Sequence, residues 1–150
     1  GSAALAQAGE ASSVTVVTGA DPCHMTTGGE TTFGEDGVER YRGHISLCEP
    51  DTSEPRMNMP YEMVWETDCY PDGRCMMWGT TQSIDPGPDG WRGRFTGWVD
   101  ATGSTSGVGY SEGYGAYEGL TVVAGFSGGD LSGANPVNSL LYEGDPPPLP

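Results

Sequence analysis

Alternating apolar and polar positions dominate the chain from residue 14 onward, and this period of two predicts β-strands. The clearest alternation is Met57–Thr67, whose one face carries only large apolar or aromatic side chains: Met57, Met59, Tyr61, Met63 and Trp65. Other strand-like runs, separated by turn signals, are Ser13–Thr18, Cys23–Thr27, Val38–Cys48, Cys75–Ser83, Trp91–Asp100, Ser104–Tyr110, Leu120–Phe126 and Val137–Tyr142. Short strands at such regular spacing are typical of a sandwich or a barrel.

The glycine and proline content argues against helices and favours a barrel over a sandwich. The chain has 25 glycines and 12 prolines, and no long window keeps helical spacing without one of them, which excludes a helical fold. Glycines inside the predicted strands, at Gly43, Gly79, Gly93 and Gly97, suit the strong coiling of a small barrel. We therefore predict an all-β fold, a small antiparallel β-barrel of seven or eight strands, with a β-sandwich as the alternative.

Chain length and the composition of the two ends define the domain organisation. At 150 residues the chain is long enough for one domain with a real core. Residues 1–13 are small and polar and are predicted to be disordered, with Gly1-Ser2 interpreted as a tag remnant. Residues 14–143 form the predicted barrel domain, and residues 144–150 a proline-rich tail.

The charge balance limits the class of partner. The net charge is −15, from 21 acidic residues against six basic ones, all of them arginine. Such a field repels nucleic acid and anionic membrane surfaces, and no apolar run approaches membrane-spanning length. The acidic turns lack the alternating oxygen ligands of a calcium loop, so we predict neither a metal nor a cofactor.

The four cysteines, Cys23, Cys48, Cys69 and Cys75, indicate disulfides. No close C-x-x-C pair is present, which argues against a zinc site. Cys69 and Cys75 bracket a Pro-Asp-Gly turn between two strand-like runs, so a bridge across a hairpin is natural, and Cys23 then pairs with Cys48 by elimination. Disulfides are typical of oxidising compartments, so we predict a secreted or extracytoplasmic protein of bacterial origin.

A glycine-aromatic string late in the chain carries a family resemblance. Gly113-Tyr114-Gly115-Ala116-Tyr117-Glu118-Gly119, placed just before a strand, resembles the G-x-G-x-(aromatic)-x-G segment of the allene oxide cyclase-like barrels. That group is similar in architecture to plant dirigent proteins and bacterial spirotetronate cyclases. The order of the preceding elements also fits, so the resemblance covers residues 75–126. It implies an eight-stranded antiparallel barrel with an apolar lumen. The disulfides depart from that family, and no catalytic residue is carried over.

The apolar face of Met57–Trp65, together with Trp78, Trp91 and Phe95, is the predicted interior. It would be either a filled core, as in many eight-stranded barrels, or a cavity for an apolar ligand, shaped by adaptable methionines and aromatic rings. The predicted ligand-binding residues are Met59, Tyr61, Met63, Trp65 and Trp78. Tyr61, Tyr41 or Tyr117 would supply a polar group in such a pocket.

Polar residues offer weaker candidates for chemistry. One strand face carries Arg42, His44, Glu62, Glu66, Arg92 and Arg94; it is interpreted as an outer ladder of opposite charges, with a polar lumen as the alternative. His24 and His44 would come together if Cys23 bonds Cys48, and could then hold a metal with Glu49 or Asp21, although ordinary polar roles fit these residues better. Proton transfer would fall to Tyr61 or Glu62.

Three functions are compatible with this pattern. The leading hypothesis is an exported barrel that binds a hydrophobic small molecule in its lumen. The second is a cofactor-independent cyclase or isomerase, which folds a reactive substrate into a productive shape. The third is a non-catalytic cell-surface structural or interaction protein, and a homo-oligomer is compatible with all three.

Overall fold

The computed structural model describes residues 13–84, 87–127 and 133–149, and they consist mainly of antiparallel strands. The strands are β1 (Thr15–Thr27), β2 (Glu30–Phe33), β3 (Glu39–Cys48), β4 (Asp51–Thr52), β5 (Tyr61–Cys69), β6 (Cys75–Ser83), β7 (Gly90–Val99), β8 (Thr105–Tyr114), β9 (Leu120–Ser127) and β10 (Gly133–Glu143). Single 3-10 turns cover Pro55–Met57 and Gly115–Tyr117. No helix in the described ranges has the length and apolarity needed to cross a membrane.

Eight of these strands close into a ring. The hydrogen-bonded order is β3-β5-β6-β7-β8-β9-β10-β1, and a further pairing of β1 with β3 returns the sheet to its start. The short strands β2 and β4 pair outside the ring, with β3 and β1 respectively. The predicted all-β fold of small antiparallel strands is confirmed, and closure leaves the ring itself without an open edge.

The first strand closes the ring by changing partners along its length. Residues Thr15–Cys23 pair with β10, whereas Cys23–Thr27 pair with the end of β3. The sequence predicted a break at Gly19–Pro22, but the strand is continuous there, because β10 lies on one side of it and β4 pairs with Gly19 and Ala20 on the other. One face of β1 therefore reaches the lumen throughout this segment.

Both predicted disulfides are present. Cys23 and Cys48 lie directly opposite each other in the β1–β3 pairing and are bonded. Cys69 and Cys75 close the β5–β6 hairpin in the same directly opposed way. The first bridge thus fastens the seam of the ring, and the second fixes the register of a hairpin. Of the predicted domain bounds, residues 1–12 lie outside the described residues, as do 85–86 and 128–132 within the predicted barrel domain and Pro150 in the tail.

Glycines on the inner face of β6, β7 and β8 make room for two phenylalanine rings. A Cβ placed on Gly79 would lie 2.7 Å from the ring of Phe95, and one on Gly107 would lie 2.3 Å from Cζ of Phe126. Phe95 and Phe126 pack edge to face, with ring centroids 6.3 Å apart. On this side of the lumen, the rings of Phe95 and Phe126 therefore pack directly on the strand backbone at the glycine positions.

Replacing Gly107 by alanine is expected to destabilise the protein by about 1–3 kcal/mol, the usual cost of overpacking. The new methyl group would meet both the Phe126 ring and, at 2.4 Å, the carbonyl oxygen of Thr96, which cannot move without disturbing β7. Gly125→Ala on β9 is the matched control, because its nearest atom is 4.0 Å away. Urea unfolding of both variants checks this, and equal stability of the two would contradict it.

Candidate functional site

The lumen contains a cavity between two clusters of buried side chains. One cluster, around Met63, Met77 and Phe95, includes the buried Cys23–Cys48 bridge, and the other surrounds Val17, Trp91 and Val122. Trp91 is the second residue of β7 and Phe95 follows four residues later, so the clusters lie at different levels of the barrel. The cavity between them is about 220 Å³. Its lining includes Asp21, Met57, Met59, Tyr61, Met63, Trp91, Phe95, Val122, Ala124, Phe126, Val137 and Ser139.

Strand β5 and the segment before it supply four of the five predicted ligand-binding residues. Met59, Tyr61 and Met63 all line the cavity, as their alternation requires. Trp65 points to the same side but packs at the end of the Met63 cluster, where its indole N–H donates to Ser46 Oγ at 3.1 Å. Three of the five predicted residues therefore meet around the cavity, and Trp65 lies next to it.

Trp78, the fifth predicted residue, lies on the outer face. It pairs with Glu66 across the β5–β6 ladder, and directly paired residues share a face. Its ring packs under the guanidinium of Arg42, 5.0 Å from the centroid, on the outside of the barrel. The inner position on this strand belongs to Met77, which is buried.

Tyr61 and Glu62, the two candidates for proton transfer, are separated by the pleat. Tyr61 faces the cavity, whereas Glu62 is exposed and pairs with Gln82 on the outer face. Proton transfer inside the lumen therefore falls to Tyr61 and its neighbours.

The neighbour that matters is Asp21 on β1. The Tyr61 hydroxyl donates a hydrogen bond to Asp21 Oδ2, which joins β5 to β1 across the lumen wall. The second carboxyl oxygen, Oδ1, is buried and has no hydrogen-bond partner among the described residues. A carboxyl group with one unsatisfied oxygen in an apolar wall favours its neutral, protonated form.

The electrostatics of the pair follow from this burial. Desolvation raises the pKa of the Asp21 carboxyl, and the hydrogen bond from Tyr61 opposes that rise only in part. Burial, together with the negative charge of Asp21, raises the pKa of Tyr61 well above its usual value. The pKa of the Asp21 carboxyl is thus raised above its usual value, and Tyr61 holds the group in place as a hydrogen-bond donor.

Sequence reasoning named Asp21 only as a possible metal ligand. A usable signal was its spacing: Asp21 stands two residues before Cys23, and residues i and i+2 of a strand share a face. Because Cys23 is buried in a bridge to a fully buried Cys48, Asp21 had to face inward as well. The predicted break at Gly19–Pro22 concealed this relation.

His44 also lies inside, although the sequence placed it with the outer charged face. The register of β3 against β5 shifts between Tyr41 and His44, so that two residues oppose one. Gly43 occupies this bulge with φ +74°, a left-handed conformation that glycine adopts freely. After the bulge the faces exchange, and His44 is buried and stacked on Trp65, with ring centroids 4.3 Å apart.

The rest of that charged face is external, as interpreted. Arg42 forms ion pairs with Glu66, at 4.0 Å, and with Asp68, at 2.7 Å. Arg92 and Arg94 are exposed and lie over the rings of Tyr114 and Tyr110.

Metal binding finds little support. His24 is exposed, whereas His44 is buried. Within the described ranges, the cluster of potential ligands consists of Asp21, Cys23 and Cys48. Both sulfur atoms of that cluster are bonded to each other, and a disulfide offers no thiolate to a metal ion.

Comparison with known proteins gives no lead. No protein-family model, curated protein or solved structure matches this chain. The resemblance of residues 75–126 to the allene oxide cyclase-like barrels therefore stays a prediction.

Proposed function

We propose that this protein binds an apolar small molecule inside its barrel. The observation that carries the proposal is the cavity of about 220 Å³ between the two buried clusters. Its wall is mostly apolar and includes the methionines Met59 and Met63 and the rings of Phe95 and Trp91. Apolar pockets with few polar groups are the usual form of small-molecule sites.

The volume indicates the size of the ligand. A cavity of about 150 Å³ holds benzene, and pockets for drug-sized molecules start at about 300 Å³. The cavity here lies between these limits, which favours a compact ligand such as a bicyclic hydrocarbon with one polar substituent. The Asp21–Tyr61 pair would orient that substituent.

A ligand series of benzene, naphthalene, 1-naphthol and pyrene tests this size limit. We expect naphthalene and 1-naphthol to raise the melting temperature in a saturable way, because a ligand at a hundred times its Kd adds about 2.7 kcal/mol to the stability of the folded state. Pyrene exceeds the cavity and should have no effect. Calorimetric titration gives the affinities.

Matched variants on β9 locate the binding. Ala124→Phe fills the cavity from its wall and should abolish the effect of 1-naphthol, whereas Val123→Phe changes the opposite face of the same strand and should leave it intact. Equal affinity of both variants, or no binding of any member of the series, would contradict the proposal.

A second candidate function is a cofactor-independent isomerase or cyclase, and the Asp21–Tyr61 pair favours it. A buried carboxyl group with a raised pKa is a better proton donor to a substrate than a fully ionised surface carboxylate. An apolar cavity would also hold a flexible substrate in a folded conformation.

Hydrogen–deuterium exchange at the carbon next to the carbonyl of 2-tetralone tests proton transfer without knowledge of the natural substrate. We expect the protein to accelerate this exchange in deuterated buffer, with most of the acceleration lost in Asp21→Asn. Glu62→Gln, an exposed carboxylate beside the pair, should retain it. NMR follows the exchange, and a rate equal to that of buffer would exclude this candidate while leaving ligand binding intact.

The compartment also belongs to the proposal. Two disulfides form and persist in oxidising surroundings, so we infer that the protein works outside the cytoplasm. A homo-oligomer stays a prediction, which sedimentation of the oxidised protein would test.

A further inference from the structure

A second depression lies on the outer face of the barrel, across β5, β6 and β7. It has a volume of about 460 Å³. The outward side chains that line it are Val64, Glu66, Met76, Trp78, Thr80, Arg94 and Thr96. The sheet separates this outer groove from the lumen, and Arg94 and Phe95 contribute to the lining of both.

Aromatic rings and guanidinium groups surround the outer groove. Arg42 lies over Trp78, and Arg94 lies over Tyr110, with its Nε donating to the tyrosine hydroxyl at 3.1 Å. Arg92 covers Tyr114, 5.0 Å from the ring centroid. Within the described ranges Arg92 and Arg94 form no ion pair, although acidic residues outnumber basic ones 21 to six in the chain. Three of the six arginines therefore lie over aromatic rings on this face, next to the acidic residues Glu66 and Glu112.

The structure also shows what kind of segment enters the outer groove. Leu149, from the segment Asp145–Leu149, lines it beside Trp78 and Met76. The three residues before Leu149 are all proline, and the segment has no regular hydrogen-bonded structure. Consecutive prolines favour the extended polyproline II conformation.

The distance that this segment covers supports that conformation. Glu143 ends β10, and four inter-strand spacings separate β10 from β6 in the ring. At about 4.8 Å each, these spacings amount to at least ~19 Å. Six residues in polyproline II, at about 3.1 Å each, span ~19 Å. An extended chain from Glu143 is therefore long enough for Leu149 to reach the groove on β6 and β7.

We propose that the outer groove is a docking site for extended, proline-rich peptide segments of a partner protein, and that Asp145–Leu149 occupies it in cis. Proline-rich peptides bind to grooves lined by aromatic side chains, since their conformation is already formed and little entropy is lost. Trp78 supplies the outward aromatic ring of the groove, and Met76 adapts to the leucine that follows the prolines. Arg94 would pair with an acidic residue flanking the prolines.

The first test removes the occupant. In a variant that ends at Gly144, the indole N–H resonance of Trp78, assigned with Trp78→Phe, should shift relative to the full chain. The resonance of Trp98 serves as the control, because Trp98 lies on the same outer face but does not line the groove. A Trp78 resonance that is unchanged by the truncation would overturn the proposal.

The second test adds a partner peptide in trans. The synthetic peptide GDPPPLP, residues 144–150 of this chain, should return the Trp78 resonance of the truncated protein toward its original position in a saturable titration. The full chain should bind the peptide about tenfold more weakly, because its own segment competes at an effective concentration of about a millimolar. The peptide GDGGGLP keeps the leucine but loses the preformed conformation and should bind at least several-fold more weakly. Equal affinity of the two peptides, or equal affinity of the full and truncated chains, would overturn the proposal.

Discussion

Replacing Cys23 and Cys48 together by alanine is expected to lower the free energy of unfolding by about 3–5 kcal/mol, the largest effect of any change considered for this protein. The bridge closes a loop with a sequence separation of 25 residues, and the chain-entropy model assigns about 3.5 kcal/mol to such a loop. Loss of the fully buried Cys48 side chain adds a packing term. The seam between β1 and β3 has only four paired positions, so little else holds it.

Denaturant unfolding of the oxidised wild type and the double variant measures this loss. The matched control is Cys69→Ala with Cys75→Ala, which removes a bridge of sequence separation 6 and should cost about 2 kcal/mol. Hydrogen exchange adds a local readout, since amides of β1 and β3 should lose protection first in the Cys23 and Cys48 variant. Equal losses for the two pairs would mean that the seam is held by something other than its bridge.

Changing Asp21 to asparagine is expected to stabilise the protein at pH 7 by about 1–3 kcal/mol relative to the effect at low pH, because burial disfavours the charged carboxylate and not the neutral amide. The amide oxygen of asparagine can still accept the hydrogen bond from Tyr61, but the variant carries no charge into the apolar wall. In the wild type, deprotonation of Asp21 leaves a charge with one buried, unpaired oxygen. The structure of the site should otherwise be unchanged.

The pH dependence gives this prediction its sign. The pKa of Asp21 is raised in the folded protein, so the folded state holds the proton more tightly than the unfolded chain. The free energy of unfolding should therefore fall as pH rises from about 4, the carboxyl pKa in the unfolded chain, through the folded pKa, and then level off. The asparagine variant lacks this fall, so the two proteins should have similar stability near pH 3.5 and diverge above it.

Thermal unfolding from pH 3.5 to 8 checks the divergence. Glu62→Gln is the control, since this exposed carboxylate next to Tyr61 should change stability by less than about 0.5 kcal/mol at any pH. A variant of Asp21 that is less stable than the wild type at pH 7 would show that the carboxylate is better solvated than its burial indicates.

Alternation along β5 and the segment before it was enough to predict one wall of the cavity, because Met59, Tyr61 and Met63 all line it. Placing Trp78 needed one further step, the register of the next strand. The predicted Cys69–Cys75 bridge supplies it: if these two residues are opposed, Glu66 opposes Trp78 and Thr67 opposes Met77. Since Glu66 belongs to the outer face, the bridge places Trp78 outside and Met77 inside.

Local backbone features limited the remaining predictions. The bulge at Gly43 moved His44 inward. A glycine within a strand does not by itself indicate a bulge, so the sequence did not show that the inward and outward positions exchange after Gly43. Asp21 was hidden by the Gly-Ala-Asp-Pro sequence around it, which is typical of a turn but is here held straight by strands on both sides. In both cases tertiary pairing decided the local conformation, which a single sequence does not encode at short range.

The glycine-lined side of the lumen has a consequence for how this pocket could change over evolution. On β6 and β8, the inner positions Gly79, Gly107 and Gly109 have no room for a side chain, because Phe95, Phe126 or the neighbouring backbone already fills it. Substitutions at these glycines would destabilise the fold before they altered ligand binding. Changes in specificity are therefore expected at lining positions that already carry side chains, such as Met59, Met63 and Val137. The glycine positions therefore fix part of the shape of the pocket, and the lining side chains are the positions at which its specificity can change during evolution.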